Sequence, residues 1–378
     1  MNRSLKTVFF LIAFLLFQSQ SLILKPALAE SELSLFFARY DDNANLSVSS
    51  PTVSLLHWLN DFFSIKARYN YEVFEKTSDS SGATNPDAIS GATTVVGGTG
   101  SGFEETRKES SLNINYKEGD WNASVGTIVS NEAHFESVSL LTGLGHEFFN
   151  KNFAINANYA FTTDKVIISN LQTGVNDKNK KTHSFTLSAS QLLSQTQVIS
   201  FGTGVAFIDG YQSGPLRKIS VDEMLNGTII SYPYDERHPD HRERYLGYAQ
   251  YKQYLLTGTA ISFNGSLYRD DWGVKAVSFE PTITHKINDD LRIRLHYRIY
   301  RQSSADFYKS SYDKEEDIMT ADKRLSAFIS QVAGTSVTYS PNRLAERHWA
   351  ITMGYNRYWE NNNGLKANIF SITTKYIF

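Results

Sequence analysis

The sequence predicts an all-β fold: a closed antiparallel transmembrane β-barrel of about 16 strands, with long loops on one side. Three observations carry that expectation. Along most of the chain, segments of about ten residues alternate apolar and polar side chains, the pattern of a wall with lipid on one face and water on the other. Short polar turns alternate with much longer connections. Phe and Tyr number 24 and 21, a supply that suits aromatic girdles at two membrane interfaces.

Residues 1–29 stand apart from the strand pattern. Arg3 and Lys6 precede an apolar run over 7–17, and Ala27-Leu28-Ala29 offers a small-residue cleavage site before Glu30. This layout predicts a secretory signal peptide, leaving 30–378 as the barrel. No Cys lies near the cut, so a lipoprotein anchor is excluded. Without Arg3, Lys6 and Lys25 the chain carries 34 basic against 39 acidic residues. That balance gives no electrostatic footprint for nucleic acid. The lack of cysteine excludes a disulfide framework, a thiolate metal site and a Cys nucleophile. Beyond the leader, no stretch reaches the length of consecutive apolar residues that a transmembrane helix needs.

The predicted strands run, in order, over 32–40, 46–57, 61–74, 108–117, 121–130, 135–148, 152–163, 182–193, 197–208, 244–256, 259–269, 273–286, 289–301, 325–340, 346–358 and 366–378. Turn-forming residues mark the short links, among them Trp58-Leu59-Asn60, Glu118-Gly119-Asp120 and Thr257-Gly258. Long loops are expected at about 75–107, 164–181, 209–243 and 302–324. With both termini periplasmic, these loops face outward or fold into the lumen. In the last strand Phe370, Ile372, Thr374, Tyr376 and Phe378 share one face. A closing aromatic of this kind resembles the signal read by outer-membrane barrel-assembly machinery.

Alternation also predicts what lines the interior. Arg244, Tyr248, Gln250 and Lys252 fall on one face of their strand. Arg292, Arg294, His296 and Arg298 fall on one face of theirs, opposite Leu291, Ile293, Leu295, Tyr297 and Ile299. Turning three Arg toward lipid would be too costly, so the basic face is expected to line the lumen.

Three stretches carry candidate chemistry. Asp87-Ala88-Ile89-Ser90-Gly91-Ala92-Thr93 resembles the motif at which periplasmic flavin transferases attach FMN through its phosphate to a Thr hydroxyl. The resemblance implies Thr93 as acceptor, Gly91 and Ala92 as the residues that leave room for the approaching enzyme, and Asp87 and Ser90 as part of the recognised sequence. The alternative is a pliable loop with a Ser-Gly turn. His238, Asp240 and His241 are weak metal-ligand candidates. Their spacing matches no standard site, and a solvated or lumen-packed charge cluster is the competing reading. Tyr268-Arg269-Asp270-Asp271-Trp272-Gly273 reads as a tight turn with an interfacial Trp rather than an acid/base pair. No Gly-x-Ser-x-Gly elbow, His-Glu-x-x-His or phosphate-binding Gly-rich loop occurs.

Taken together, residues 87–92, 237–242, 268–273 and Tyr300-Arg301-Gln302-Ser303-Ser304-Ala305-Asp306-Phe307-Tyr308 resemble the outer-membrane family grouped as domain of unknown function 3570. The resemblance implies a Gram-negative outer-membrane barrel in contact with lipid. The family's biochemical activity is not established, but together with the Thr93 motif the resemblance leads to the expectation of a barrel in an envelope redox system, with a flavin transferase and redox proteins as partners and covalent FMN as cofactor. Two other functions remain open: a passive or selective channel in which Arg292, Arg294 and Arg298 tune the passage of anionic solutes, and a structural or adhesive surface protein.

Overall fold

The computed structural model describes residues 30–76, 103–170, 174–214, 217–255, 257–341, 348–362 and 364–378. The strands are β1 (Glu32–Asp42), β2 (Leu46–Trp58), β3 (Phe63–Lys76), β4 (Phe103–Glu118), β5 (Trp121–Glu132) and β6 (Phe135–Phe148). They continue as β7 (Phe153–Asn170), β8 (Gly174–Ser194), β9 (Gln197–Gly210), β10 (Lys218–Leu225), β11 (Thr228–Asp235) and β12 (His241–Leu255). The last six are β13 (Thr259–Asp270), β14 (Lys275–Lys286), β15 (Leu291–Gln302), β16 (Phe328–Tyr339), β17 (His348–Glu360) and β18 (Lys366–Ile377).

Sixteen of these strands form one closed antiparallel barrel; β10 and β11 form a separate two-stranded hairpin. Each wall strand pairs with its neighbour in sequence, except that β9 pairs with β12 across the hairpin. Closure comes from β1 on β18, with Leu35 opposite Thr374 and Ala38 opposite Ser371. Beyond the ladder, Ser31 and Phe378 exchange both backbone hydrogen bonds at 2.9 Å. Closure removes the unpaired edges that an open sheet would leave in lipid.

Register fixes the two faces. Leu35, Phe37, Leu112, Leu140, Leu187 and Phe370 are all exposed, as are Phe263, Leu267, Leu295 and Met353. These residues share the outward parity of their strands. Large exposed apolar side chains around a closed wall form the lipid-facing band. The opposite face carries Thr52 bonded to Asn70, Ser139 to Thr162 and Ser266 to Ser278, each across a pair of strands. Among the described residues no helix is long and apolar enough to cross a membrane; strands make the crossing. Replacing Leu295, 53% exposed in the outward row of β15, by Arg is expected to destabilise the vesicle-inserted barrel by about 2–4 kcal/mol near the bilayer midplane. Urea unfolding from vesicles measures this, and an unchanged midpoint would argue against an outward Leu295.

The strand count agrees with the sequence expectation, and two of the expected loops do not hold. Residues 164–170 and 174–181 are strand rather than loop: β7 and β8 remain paired to Asn170 and Gly174. The segment looked like loop because it is polar, yet cross-strand charge pairs support it. Lys180 lies 3.1 Å from Asp164, and Lys165 lies 2.8 Å from Asp177. Residues 209–243 contain the β10–β11 hairpin. Its turn places Asn226 and Gly227 at φ 51° and 80°, the conformation that an Asn-Gly pair favours in two-residue hairpins.

The start of β1, the end of β18 and the turns after β2, β4, β6, β8 and β14 share one rim of the barrel. The connections after β9, β13 and β15 share the other. Gly210 launches the connection after β9 at φ +106°, where a Cβ would sit 2.3 Å from the Asn179 carbonyl oxygen. Only glycine fits that exit.

Candidate functional site

The site is the barrel interior together with a folded cap at the loop rim. The cap is built by residues 211–214 and 217–240, the β13–β14 turn and residues 303–327. It seats on inward-facing wall positions. Arg242, the second residue of β12, pairs with Asp270, the last of β13, through its Nε at 3.0 Å and through a second, shorter contact. The Tyr268 hydroxyl donates to the same carboxylate at 2.8 Å. Gln302, at the top of β15, donates to the carbonyls of Arg324 and Ser326, both at 2.7 Å. All four wall residues share the inward parity of their strands, so the cap leans over the lumen.

Trp272 joins wall and cap. It is buried, its indole N–H donates to the His241 carbonyl at 2.8 Å, and the Arg242 guanidinium lies 4.0 Å from its ring centroid. Its ring meets Phe307 and His238 edge-on, both at 5.2 Å. The sequence led to an interfacial Trp at this turn. The structure corrects this: the turn is tight, with Gly273 at φ +87°, but it folds inward and buries the indole in an apolar cluster with Val274, Ala305 and Leu325.

The two long connections interlock across 84 residues of sequence at Glu236. Its carboxylate, with side-chain exposure 0%, accepts from Thr320 Oγ1 at 2.6 Å and from the Gly214 N–H at 3.0 Å. His238 Nε2 lies 3.4 Å away. Arg217 reaches Asp322 at 3.2 Å and Glu236 at 3.9 Å. Arg237 and Met319 exchange backbone hydrogen bonds at 3.0 and 2.9 Å. Beneath lies an apolar cluster of Ile219, Val221, Tyr312 and Met319. Burial works against the charge on Glu236, but His238, Arg217 and Thr320 outweigh it and hold the carboxyl below its ordinary value. Burial likewise opposes the charge on Asp322, and Arg324 with Arg217 brings its pKa down to about 2. Both groups are therefore anionic at neutral pH. These buried ion pairs tie the two connections together, which gives the cap a defined shape.

The metal-ligand candidates find separate partners. His238 Nδ1 lies 3.0 Å from the Gln212 carbonyl oxygen. His241 is exposed at the rim and contacts Asp209 at 2.7 Å and Glu243 at 3.4 Å. Asp240 is exposed, and its carbonyl accepts from the Gly210 N–H at 2.7 Å. Among the described residues no group of three or more His, Cys, Asp or Glu side chains is arranged to hold a metal ion. The flavin candidates Asp87, Ser90, Gly91, Ala92 and Thr93 lie outside the described residues, as does the predicted leader 1–29.

Arg292, Arg294, His296 and Arg298 share the face of Gln302, opposite the exposed Leu295, Tyr297 and Ile299. Although they face the interior, Arg292, Arg294 and Arg298 are exposed. The interior beside them is thus open space rather than packed core. Arg294 lies 3.7 Å from Glu280 of β14. The wall across the barrel is richer in acid: Arg107 of β4 sits among Glu72, Glu109 and Glu132, at 3.5, 3.0 and 3.6 Å. Sequence reasoning missed Glu236, Asp322 and the cap they build. The Asn226-Gly227 pair was the one local signal that pointed to structure there.

Comparison with known proteins adds the following. A family model described as "Protein of unknown function (DUF3570)" matches residues 20–369. No curated protein matches. Among solved structures, one described as a bacterial polysaccharide outer membrane secretin is 10% identical at a TM-score of 0.49, covering 92% of this chain and 97% of its own. OccK7 (OpdD) of Pseudomonas aeruginosa is 9% identical at 0.48, covering 92% and 98%. A mutant of the ferric enterobactin receptor PfeA from Pseudomonas aeruginosa is 11% identical at 0.43, covering 89% of this chain and 54% of that one. These are similarities of barrel architecture and nothing more specific.

Proposed function

The chain belongs to the DUF3570 family of proteins of unknown function and is an outer-membrane β-barrel, and on that premise we propose that it forms a water-filled passage with a preference for anionic solutes. One observation carries the reading. Arg292, Arg294 and Arg298 face the interior and are nevertheless exposed. Charged side chains held in an apolar enclosure without partners would be prohibitively costly, so water must reach them. The cap narrows the outer mouth on the β12–β15 side, and the basic wall below it attracts anions in a region of reduced dielectric. The purified protein in planar bilayers is expected to give discrete current steps, with a reversal potential in a KCl gradient on the chloride side. A folded barrel that gives only background leak would overturn the proposal.

A second reading rests on the Asp87-to-Thr93 motif alone: covalent FMN on Thr93, and with it a place in an envelope redox system. Its test is separate. Co-expression with a periplasmic flavin transferase should leave a fluorescent band after denaturing electrophoresis, and Thr93→Ala should abolish it. A dark wild-type band from such cells would remove this reading without touching the channel.

A further inference from the structure

We propose that the lumen wall between β12 and β15 contains a binding site for a polyhydroxylated monocarboxylate. The inference deepens the channel reading and takes its biological sense from it.

Two recesses adjoin on this wall. The lower encloses about 480 Å³ and includes Lys252 and Arg294 in its lining. The upper encloses about 210 Å³ and includes Tyr248 and Glu280. Gln250 and Asn264 line both, so the two spaces lie side by side. The larger falls within the several hundred Å³, roughly 300–1,000, typical of small-molecule sites.

Register explains why these side chains converge. Gln250 stands opposite Asn264, and Asn264 opposite Glu280. One residue pair further down each strand, Lys252 stands opposite Ser262, and Ser262 opposite Thr282. That row ends on β15 at His296, opposite Thr282, and Arg294 stands opposite Thr284 one inward pair below it. All are inward positions, because residues paired across strands share a face.

The chemistry runs from charged to neutral. Lys252 and Arg294 supply two cations, and Glu280, 3.7 Å from Arg294, offsets one of them. The two recesses together therefore carry one net positive charge, which matches a monoanion and leaves the second charge of a desolvated dianion without a partner. Above the cations lie amides and hydroxyls. Gln250 donates to Asn264, the Asn264 side chain donates to the Glu280 carbonyl at 3.4 Å, and Ser266 bonds Ser278 at 2.7 Å. Such groups both donate to and accept from hydroxyls, and the Glu280 carboxylate accepts from them strongly. Tyr248 completes the site. Gly202, the residue opposite it, has no side chain; a Cβ there would lie 2.6 Å from the ring. The ring thus lies along the wall and offers a flat apolar surface for the C–H face of a polyol.

Equilibrium dialysis of radiolabelled gluconate against the detergent-solubilised full-length protein tests this without requiring conduction. Saturable binding is expected. Acetate, glucose and phosphate should each compete at least tenfold more weakly than unlabelled gluconate. The double variant Lys252→Ala, Arg294→Ala, its folding checked by the heat-dependent gel shift of barrels, should bind at least tenfold more weakly. If that variant does not fold, Glu280→Gln serves: removing the offsetting charge should narrow the preference for gluconate over phosphate. No saturable binding to the folded wild type, equal competition by acetate, or unchanged binding in the variants would each overturn the proposal. Gluconate binding without current steps would remove the channel and keep the site. Current steps without gluconate binding would do the reverse.

Discussion

Asp322→Ala is expected to unlock the cap, at a local cost of about 3–5 kcal/mol, the usual consequence of removing one partner from a buried ion pair. The Asp322 side chain is 3% exposed, and it holds together both long connections. It reaches Arg217 of the first at 3.2 Å and Arg324 of its own segment. It also accepts the Arg324 backbone N–H at 2.9 Å, capping the single turn of 3-10 helix at Lys323–Leu325. Truncation leaves two guanidinium groups without this shared carboxylate, and alanine cannot replace the cap. Limited proteolysis should then cut within 303–327 while the barrel persists, and mean conductance should rise as the mouth widens. A variant as protease-resistant as the wild type, with unchanged conductance, would show that the network does not hold the cap.

The same network gives a pH dependence with a definite sign. Asp322 is depressed from 3.8 to about 2, and Glu236 is lowered from 4.5. Groups depressed by folding contribute stability above their ordinary values and lose it as pH falls through the folded ones. For Asp322 the contribution is on the order of 2 kcal/mol. The cap should therefore stay closed at neutral and mildly acidic pH and loosen between about pH 4 and 2. Cap opening that instead began on raising the pH toward 7 would contradict this assignment.

Arg294→Glu is expected to reverse the ion preference of the passage. The new carboxylate would face Glu280, to which the present guanidinium lies at 3.7 Å. The two adjoining recesses together would change from one net positive to one net negative charge. In a partly hydrated lumen such a change is worth roughly 1–2 kcal/mol to a passing monovalent ion, or about tenfold in relative permeability. The reversal potential in a KCl gradient should move to the potassium side. Retained chloride preference would mean that ions pass along another part of the wall.

Much of the barrel was legible in the sequence because a membrane strand is written locally. The alternation of Arg292, Arg294, His296 and Arg298 with Leu295, Tyr297 and Ile299 sorts β15 into two faces with no knowledge of its neighbours. The polar stretch at 164–181 misled for the same reason. Its support comes from partners across the hairpin, such as Asp164 with Lys180, and not from an apolar period. Trp272 was placed at a lipid interface because tryptophan near a turn commonly sits there. What buries it are Arg242, His238 and Phe307, from two other segments.

By itself, the sequence determined the all-β membrane barrel, its strand number, the inward parity of the basic residues and the family to which the chain belongs. Each follows from a period of two along single strands or from residues in fixed order. Tertiary structure alone decided that the connection between β9 and β12 folds as a hairpin and that Glu236 meets Thr320. It alone brought Lys252 and Arg294 to one recess. Those outcomes depend on register between strands and on side chains far apart in the chain, and no local pattern encodes either.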